Sequence, residues 1–584
     1  MTGRWTSHQK DRAARAIRDL SQGASAFQGP PLPSTVVPNA ESAYINGEAI
    51  TDTLGAWIKN KIILGPFDQP PVRDFRVNCI MAVVQKDKVR PVLDMSRPKD
   101  RSFNSNIETH KLGHVTMSTA RQFSYTLREA GKGAIMSKLD MKDAYKLVPC
   151  QKEDWRLQGM SWLGKYFIEP QMIFGATSAV DNYDAQSHTA NDLAVAESEI
   201  PTRWTHRILD DTTAVSPANS GWTLRFTEAY KNICEELGIP LAAPCPNKEK
   251  AFENETSGRV MGIWFDSTTM SWSYPLDKAV PTIRSIHHTM EMGMATLHQM
   301  QVIAGELNDV ALLCPFLKAF RKPTNEFMSS FEGNEDLELA IPDRVKMDMA
   351  IQLKVLVTAS IGLPIAVRPS PPPLNQMTFT SDAAGAIMAK VGGAMVAMSD
   401  KFQRGVASVA FTEEGHLWFS CRLVWPDSFL TKSRDNKGSL YGSKSTTLET
   451  VGLLLPFFSI PEATRGKDLV MQVDNLAVYY GWDSKQVKED TAASILIRAL
   501  YLISVSLECR IHVRHLPRMS SEAGELADHL SREDSTSRSE ERWASSVEKQ
   551  PHCPALKAWL EDPVEDWSLV DRILADVASI SNPF

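Results

Sequence analysis

Arg207-Ile-Leu-Asp-Asp-Thr-Thr-Ala-Val215 is an apolar stretch broken by two adjacent carboxylates, Asp210 and Asp211. The wider segment Arg203–Val215 is apolar on both sides of the pair, so it reads as a hairpin with the acids at its turn. Two neighbouring charges in such a hairpin are costly unless something neutralises them. A divalent cation is the natural neutraliser, because Mg²⁺ takes one or two carboxylates together with phosphate oxygens and water. Two such ions can clamp the attacking and leaving oxygens of an in-line phosphoryl displacement. Alone, an Asp-Asp pair is more often a turn or a helix cap, so the surrounding sequence has to decide.

Working outward, Ala134–Asp140 is a short strand that ends on a third acid, in Lys138-Leu-Asp-Met-Lys-Asp-Ala-Tyr145, and runs into a helix. Arg76–Val84 and Lys88–Met95 read as a hairpin around Lys86-Asp87, and Arg259–Asp266 pairs with Met270–Tyr274 across Ser267–Thr269. From Leu276 to about Ile361 the pattern is helical, rich in Met and Leu, with no strand signal; such stripes read as core. Four prolines in Arg368–Gln376 then mark a boundary. Beyond it come strands Met377–Asp382, Gly393–Met398, Val406–Phe411 and His416–Val424, helix Thr446–Phe458, strand Leu469–Asp474, helix Asp490–Ser506, strand Cys509–His515 and helix Glu522–Leu530. The last helix of the chain carries Trp567, Val570, Ile573, Leu574 and Val577 on one face, suited to docking.

The chain has 584 residues, 43% hydrophobic and 23% charged, enough for several cores. A wholly disordered chain is excluded. No apolar run reaches a membrane span, and the longest, Val451–Ile460, contains Pro456. The charged N-terminus lacks an apolar signal region, and the eight scattered cysteines form no CxxC pair. An intracellular protein of cytoplasm or nucleus, without membrane partners, is expected. The net charge of −7 hides its distribution: residues 533–584 hold eleven acids against five bases, whereas Pro70–Lys111 holds nine bases against five acids. A near-neutral body with one basic segment is compatible with phosphate binding, although such a run also occurs as plain solvated surface.

The order and spacing of Arg90-Pro-Val-Leu-Asp94, Asn104 and Asn106, Asp140, Tyr145 with Lys146–Pro149, Phe174-Gly-Ala-Thr-Ser-Ala179, Asp210-Asp211, Glu249-Lys250-Ala251 and Met261–Phe265 resemble the reverse-transcriptase domain of retroelements. Val89–Ile107, Ser137–Cys150 and His206–Asp211 look especially similar to the DIRS-like, tyrosine-recombinase group of LTR-type retrotransposons. The resemblance implies that Asp140, Asp210 and Asp211 hold two metal ions. It implies that Arg90 grips the incoming triphosphate with Lys86 or Lys88 assisting, and that Tyr145 stacks under the deoxyribose and excludes a 2′-hydroxyl. Phe174 and Gly175 would line the nucleotide pocket. Lys250 reads equally as a base facing the leaving phosphate or as an ordinary loop lysine. Ile208 stands where an aromatic is often found, and Val180 replaces the proline usual after the Phe-Gly block.

After the prolines, Asp382 ends a strand, Glu449 lies on a helix, Asp474 ends a strand and Asp528 lies in Leu526-Ala-Asp-His-Leu-Ser-Arg532. The element order and this series of acids resemble a ribonuclease H domain attached to a retroelement polymerase. The implied chemistry is two-metal activation of water against the RNA strand of an RNA–DNA hybrid. His515 reads as a structural histidine. The insertion between Asp382 and Gly392-Gly393 departs from the family's compact turn and is expected to disturb the first strand pair.

The expected fold is therefore a multidomain α+β and α/β chain. Its parts are an N-terminal extension with a Pro-rich linker (1–45), right-hand polymerase fingers and palm (46–275), a helical thumb or connection (276–366), a Pro-rich linker (367–376), a ribonuclease H-like domain (377–535) and an acidic tail (536–584). The expected activity is RNA-directed DNA polymerisation with linked ribonuclease H, using two Mg²⁺ ions per site, with Mn²⁺ as substitute. RNA template, DNA primer, RNA–DNA hybrid and dNTPs are the partners, and integration would need a separately encoded recombinase. The alternative is a decayed or domesticated copy that binds nucleic acid or a protein without catalysis.

Overall fold

A computed structural model describes residues 5–581 except 86–87, 114, 366–375, 386–387, 392–393, 398–403, 413, 433–439, 442–443, 489, 518–519, 533–547 and 550. Lys86, the Lys86-Asp87 turn and most of the Pro-rich linker lie outside the described residues. The chain divides into two compact units, Met1–Pro275 with Gly362–Ala366, and Leu276–Ile361 with Val367–Phe584.

In the first unit, strand Ile135–Asp140 is flanked by Asp211–Ser216 and Phe252–Glu255, both antiparallel, and Thr205–Ile208 completes a four-stranded sheet. The four central residues of Ile135–Asp140 are buried, which explains why its sequence does not alternate. Helices Ala120–Ala130 and Trp222–Glu236 pack on this sheet. A second sheet has the order Leu64–Phe67, Lys165–Ile168, Gly159–Trp162, Val77–Gln85, Lys88–Asp94, and its last two strands form the hairpin expected from the sequence, with Val83 opposite Arg90.

The first 45 residues are woven into this unit. Helix Ser7–Gln22 opens on a Thr6/Gln9 capping box, and Arg15 donates to both carboxylate oxygens of Asp181 at 3.2 and 2.7 Å. Isolated bridges then tie Ala24 to Cys150 and Val36 to Val77.

Arg259–Asp266, expected as one strand, is two. Met261 and Gly262 both take positive φ, 53° and 79°, and make a two-residue turn between Ser257–Val260 and Ile263–Asp266. A turn of this hand matches the twist of its flanking strands, and the glycine makes it accessible. Likewise, Ala134–Asp140 leads into a single 3₁₀ turn, Ala144–Leu147, in place of an α-helix.

The second unit contains helices Leu276–Met292, Leu297–Leu313, Arg321–Ser329 and Asp343–Ile361, together with a six-stranded sheet. Within the helical stretch, Met294–Thr296 pairs antiparallel with Glu338–Ala340, strands too short to leave a periodic signature. The sheet order is Arg510–His515, Asp468–Val473, Met377–Ala383, Gly405–Phe411, Leu417–Val424, Glu548–Lys549. The first three strands are parallel and the next two antiparallel. The core joins these strands to helices Ser445–Ser459 and Thr491–Ser506, and Pro456 is accommodated inside the former.

The expected strand Gly393–Met398 is not part of this sheet. Its described part, Ala394–Ala397, pairs with Met388–Val391 as a separate hairpin. The described strands of the insertion pair with each other, and Thr380–Ala383 pairs with Val406–Val409 undisturbed. A helix not expected from the sequence, Leu476–Ser484, follows Asp474; the Asn475 side chain caps it by accepting from Ala477 N and Val478 N.

Two helices of the acidic tail, Pro554–Glu561 and Ser568–Ser581, enter the same unit. Trp567, Val570, Ile573 and Val577 are buried in the core with the apolar residues of Thr491–Ser506, so the expected docking face is covered within the chain. No described helix is long and apolar enough to cross a membrane.

Candidate active sites

In the first unit the hairpin turn is as tight as its sequence suggests: Ile208 faces Asp211, leaving only Leu209 and Asp210 between them. Leu209 sits in the left-handed region at φ 49°, an unfavourable conformation for a bulky side chain. Neighbouring groups hold it there. Ser187 Oγ donates to the Leu209 carbonyl, as does Arg207 Nη1 at 3.4 Å, while Arg207 Nη2 pairs with Asp184. Arg207, Ser187 and Asp184 therefore support the turn, a role not evident from the sequence.

The ladder brings the three acids to one end of the sheet. Asp140 is directly opposite Asp211, and Met141 N donates to Asp210 O at 3.1 Å. Burial raises the Asp140 carboxyl above its ordinary range, with Asp210 adding to the rise and Lys138, Lys250 and Lys142 opposing it. The Asp211 carboxyl is pushed up to about 6 by burial, against the pull of Lys138, whose Nζ lies 3.0 Å from Asp211 Oδ2. The three carboxylates are not drawn within 4.8 Å of one another, unlike the group described below. A divalent ion binding here would compete with the Lys138 ammonium for Asp211.

Around these acids, Tyr145 on its 3₁₀ turn lies edge-on to Phe174 and to Tyr183, with ring centroids 5.5 Å apart in each case. Asp210 is close enough that its charge, after burial, raises the Tyr145 phenol. Phe174 is 65% exposed, a large aromatic offered to solvent beside the acids. Gly175 has φ 113°, and a Cβ there would stand 2.9 Å from the Leu93 carbonyl, so both conformation and space require glycine. Arg90 is exposed on the hairpin three residues before Leu93, and the Lys88 side chain is outside the described residues. Lys250 is an exposed loop residue whose charge acts on Asp140.

Asn104, noted in the sequence only as part of a pattern, is the residue that fixes the 174–177 loop. Its Nδ2 donates to Gly175 O at 2.8 Å and to Ser96 Oγ at 3.0 Å, and its Oδ1 accepts from Thr177 N at 2.9 Å. One amide thus joins the end of the basic hairpin to the Phe-Gly loop.

In the second unit, Asp382, Glu449 and Asp474 each offer a carboxylate oxygen, all within 4.8 Å of one another. Asp382 and Glu449 are buried, and Asp474 is half-buried. Around an octahedral Mg²⁺ adjacent oxygens are about 3 Å apart and opposed ones about 4.2 Å, so the three carboxylates could share one ion after closing in on it, with water or phosphate oxygens taking the other positions. The donor set fits a hard divalent cation. Asp528 lines the same small cavity with Asp382 and Asp474, and Arg532 pairs with it at 2.5 Å.

Local hydrogen bonds arrange this group. Ala383 N donates to Glu449 Oε1 at 3.3 Å, and His515 Nε2 lies 3.1 Å from Asp474 O. Ser531 Oγ is 2.8 Å from both Asp382 Oδ2 and Asp528 O, linking the first acid of the series to the last. Ser531 belongs to the Leu-Ser-Arg sequence, but its part in the site becomes evident only in three dimensions.

No family model and no curated protein sequence matches the chain. Among solved structures, similar ones include a foamy viral protease–reverse transcriptase in complex with an RNA/DNA hybrid, with TM-score 0.46, 12% identity, and coverage of 89% of this chain and 63% of that one. A foamy viral protease–reverse transcriptase in complex with double-stranded DNA gives TM-score 0.43 at 12% identity, covering 89% and 80% of the two chains. At these scores the reading of the sites rests on the residues themselves.

Proposed function

We propose that the chain is an RNA-directed DNA polymerase with a linked ribonuclease H, of the kind found in DIRS-like retrotransposons. The observation that supports this most is the presence of two carboxylate constellations, one gathered at strand ends in the first unit and one from strand ends and helices in the second, each drawn from distant parts of the sequence. Asp140, Asp210 and Asp211 would hold metal in the first, and Asp382, Glu449, Asp474 and Asp528 in the second. Two Mg²⁺ ions at each site, or Mn²⁺ in their place, would activate the attacking oxygen and stabilise the leaving one.

The chain's own residues supply positioning. Tyr145 and Phe174 offer aromatic surface for the sugar and base of an incoming dNTP, and the Asn104 clasp keeps Gly175 against Leu93. Arg90, with Lys86 or Lys88, supplies positive charge for the triphosphate, and Lys250 for the departing phosphate. RNA template, DNA primer and RNA–DNA hybrid are the macromolecular partners, with a separately encoded recombinase for integration.

The experiment is a reciprocal pair of variants. Asp211→Asn should abolish nucleotide addition and leave hybrid cleavage, and Asp474→Asn should do the reverse. Loss of both activities in both folded variants would contradict two independent sites.

A further inference from the structure

Helix Thr177–Ser198 has the N-terminal helix Ser7–Gln22 on one side and the Asp210 turn on the other. At about 100° per residue, Asp181 and Asn182 project nearly opposite to Tyr183, Asp184 and Ser187. On the first side one guanidinium makes three bonds: Arg15 holds both oxygens of Asp181 and donates to Asn182 Oδ1 at 2.9 Å. Arg12 reaches Asp192 at 3.5 Å, about three turns further along. Gly113 closes over the Asp181 carboxylate, where a Cβ would stand 2.4 Å from Oδ1. On the second side, Asp184 pairs with Arg207, and Ser187 Oγ and Arg207 Nη1 donate to the Leu209 carbonyl. Tyr183 Oη donates to Met141 Sδ at 2.9 Å, and Met141 N to Asp210 O at 3.1 Å.

Two features make the first side matter to the second. The buried side chains of this helix are chiefly alanines and polar groups, Asp181, Asn182, Gln186, Ser187, Asn191 and Asp192 among them. Such a helix has no broad apolar stripe to fix its rotation, so directional polar contacts have to do so. The hairpin turn, for its part, holds Leu209 at positive φ, a conformation that persists only while its surroundings over-determine it. Rotation of the helix would draw Ser187 Oγ away from the Leu209 carbonyl and release the backbone that carries Asp210.

We propose that Arg15 is a positioning residue for the Asp210 turn: by fixing the rotation of helix Thr177–Ser198 it keeps Ser187 on the Leu209 carbonyl and Asp210 at the sheet end. Arg12 assists at Asp192. The N-terminal helix is thereby part of the site's architecture and not a detachable extension. The catalytic consequence rests on the polymerase reading; the coupling itself rests on the geometry alone.

The test is a double-variant cycle of Arg15→Gln and Ser187→Ala on the full chain, read by single-nucleotide extension and by hydrogen exchange of the amides of residues 208–212. Arg15→Gln should lower kcat at least tenfold, roughly the loss of one charge-assisted contact, with the KM for dNTP within about twofold and hybrid cleavage by the second unit unchanged. Arg15→Lys, which keeps the charge and loses the fork, should fall between it and the unmodified protein. Arg18→Gln, at an exposed position of the same helix, should change neither readout. Because Arg15 acts through Ser187, the double variant should be no slower than Ser187→Ala by more than about twofold, and exchange should show the same non-additivity. Losses that multiply would make Arg15 an independent structural residue and overturn the proposal. So would kcat and exchange in Arg15→Gln equal to those of Arg18→Gln. If the unmodified protein extends nothing, the polymerase reading fails and exchange alone decides the coupling: non-additive loosening of residues 208–212 supports it, and unchanged or additive exchange overturns it. Should Arg15→Gln not fold, Arg15→Lys takes its place in the cycle.

Discussion

Asp140 and Asp211 stand directly opposite each other across an antiparallel ladder, and Lys138, on the strand of Asp140, reaches Asp211 with its ammonium at 3.0 Å. The pairing concentrates negative charge at one sheet end, which the Lys138 ammonium offsets in part, with Lys250 and Lys142 acting on Asp140. The Asp211 carboxyl is nevertheless pushed up to about 6. Because a raised acid is protonated below its pKa and ionised above it, nucleotide addition at limiting Mg²⁺ should fall as pH drops through about 6. Excess Mg²⁺ should move that limb to lower pH, since metal and proton compete for one oxygen.

Lys138→Met gives this relationship a sharper test. Lys138 lowers the Asp211 carboxyl, so its removal should move the acid limb to higher pH. Metal should then bind without displacing an ammonium, at lower Mg²⁺ above pH 8. A limb that stays in place, measured by single-nucleotide extension across pH, would show that Asp211 does not govern the profile.

The Asn104 clasp makes a prediction about KM. Asn104→Ala removes the bonds to Gly175 O and Thr177 N, each worth about 1 kcal/mol. The KM for dNTP should rise roughly tenfold or more, with a smaller effect on kcat. Asn104→Asp, which keeps the acceptor for Thr177 N and loses the donor to Gly175 O, should fall between. Equal KM in all three proteins would remove the residue from the nucleotide pocket.

Stability of the second unit should depend on a buried pair. Arg498 donates from Nη1 and Nη2 to Asp348 at 2.8 and 2.7 Å, and the two side chains are 1% and 0% exposed. Arg498→Leu leaves the buried carboxylate with Arg344 alone, whose Nε lies 3.3 Å from Asp348 Oδ1, and should cost up to about 3–5 kcal/mol in denaturant unfolding, whereas Arg498→Leu with Asp348→Leu should recover part of it. A double variant no more stable than the single one would show that packing, not the charge, is responsible.

Much of the architecture was legible because it is local. The Arg203–Val215 hairpin, the strand before Asp140 and the main strands and helices after residue 376 each carry their own periodicity and punctuation. What stayed hidden is what only tertiary structure creates. Asn104 and Gly175 are 71 residues apart, Ser531 and Asp382 149 apart, and Arg498 and Asp348 150 apart. Three-residue strands such as Met294–Thr296 are too short to show alternation, and the Met261-Gly262 turn was obscured by apolar residues on both sides. Asn475 is a helix-start signal, but it follows directly on the strand end at Asp474, whose apolar run dominates the local pattern. Conversely, the acidic tail looked detached by charge, although its apolar face belongs to the core.

The most direct measurement is extension of a DNA primer on an RNA template with Mg²⁺ and dNTPs, comparing the unmodified protein with Asp210→Asn/Asp211→Asn. The account predicts extension by the unmodified protein and none by the folded double variant, which should still cleave RNA in a hybrid. Folded, unmodified protein that extends nothing with Mg²⁺ or Mn²⁺, or a double variant that extends as well as its parent, would contradict it.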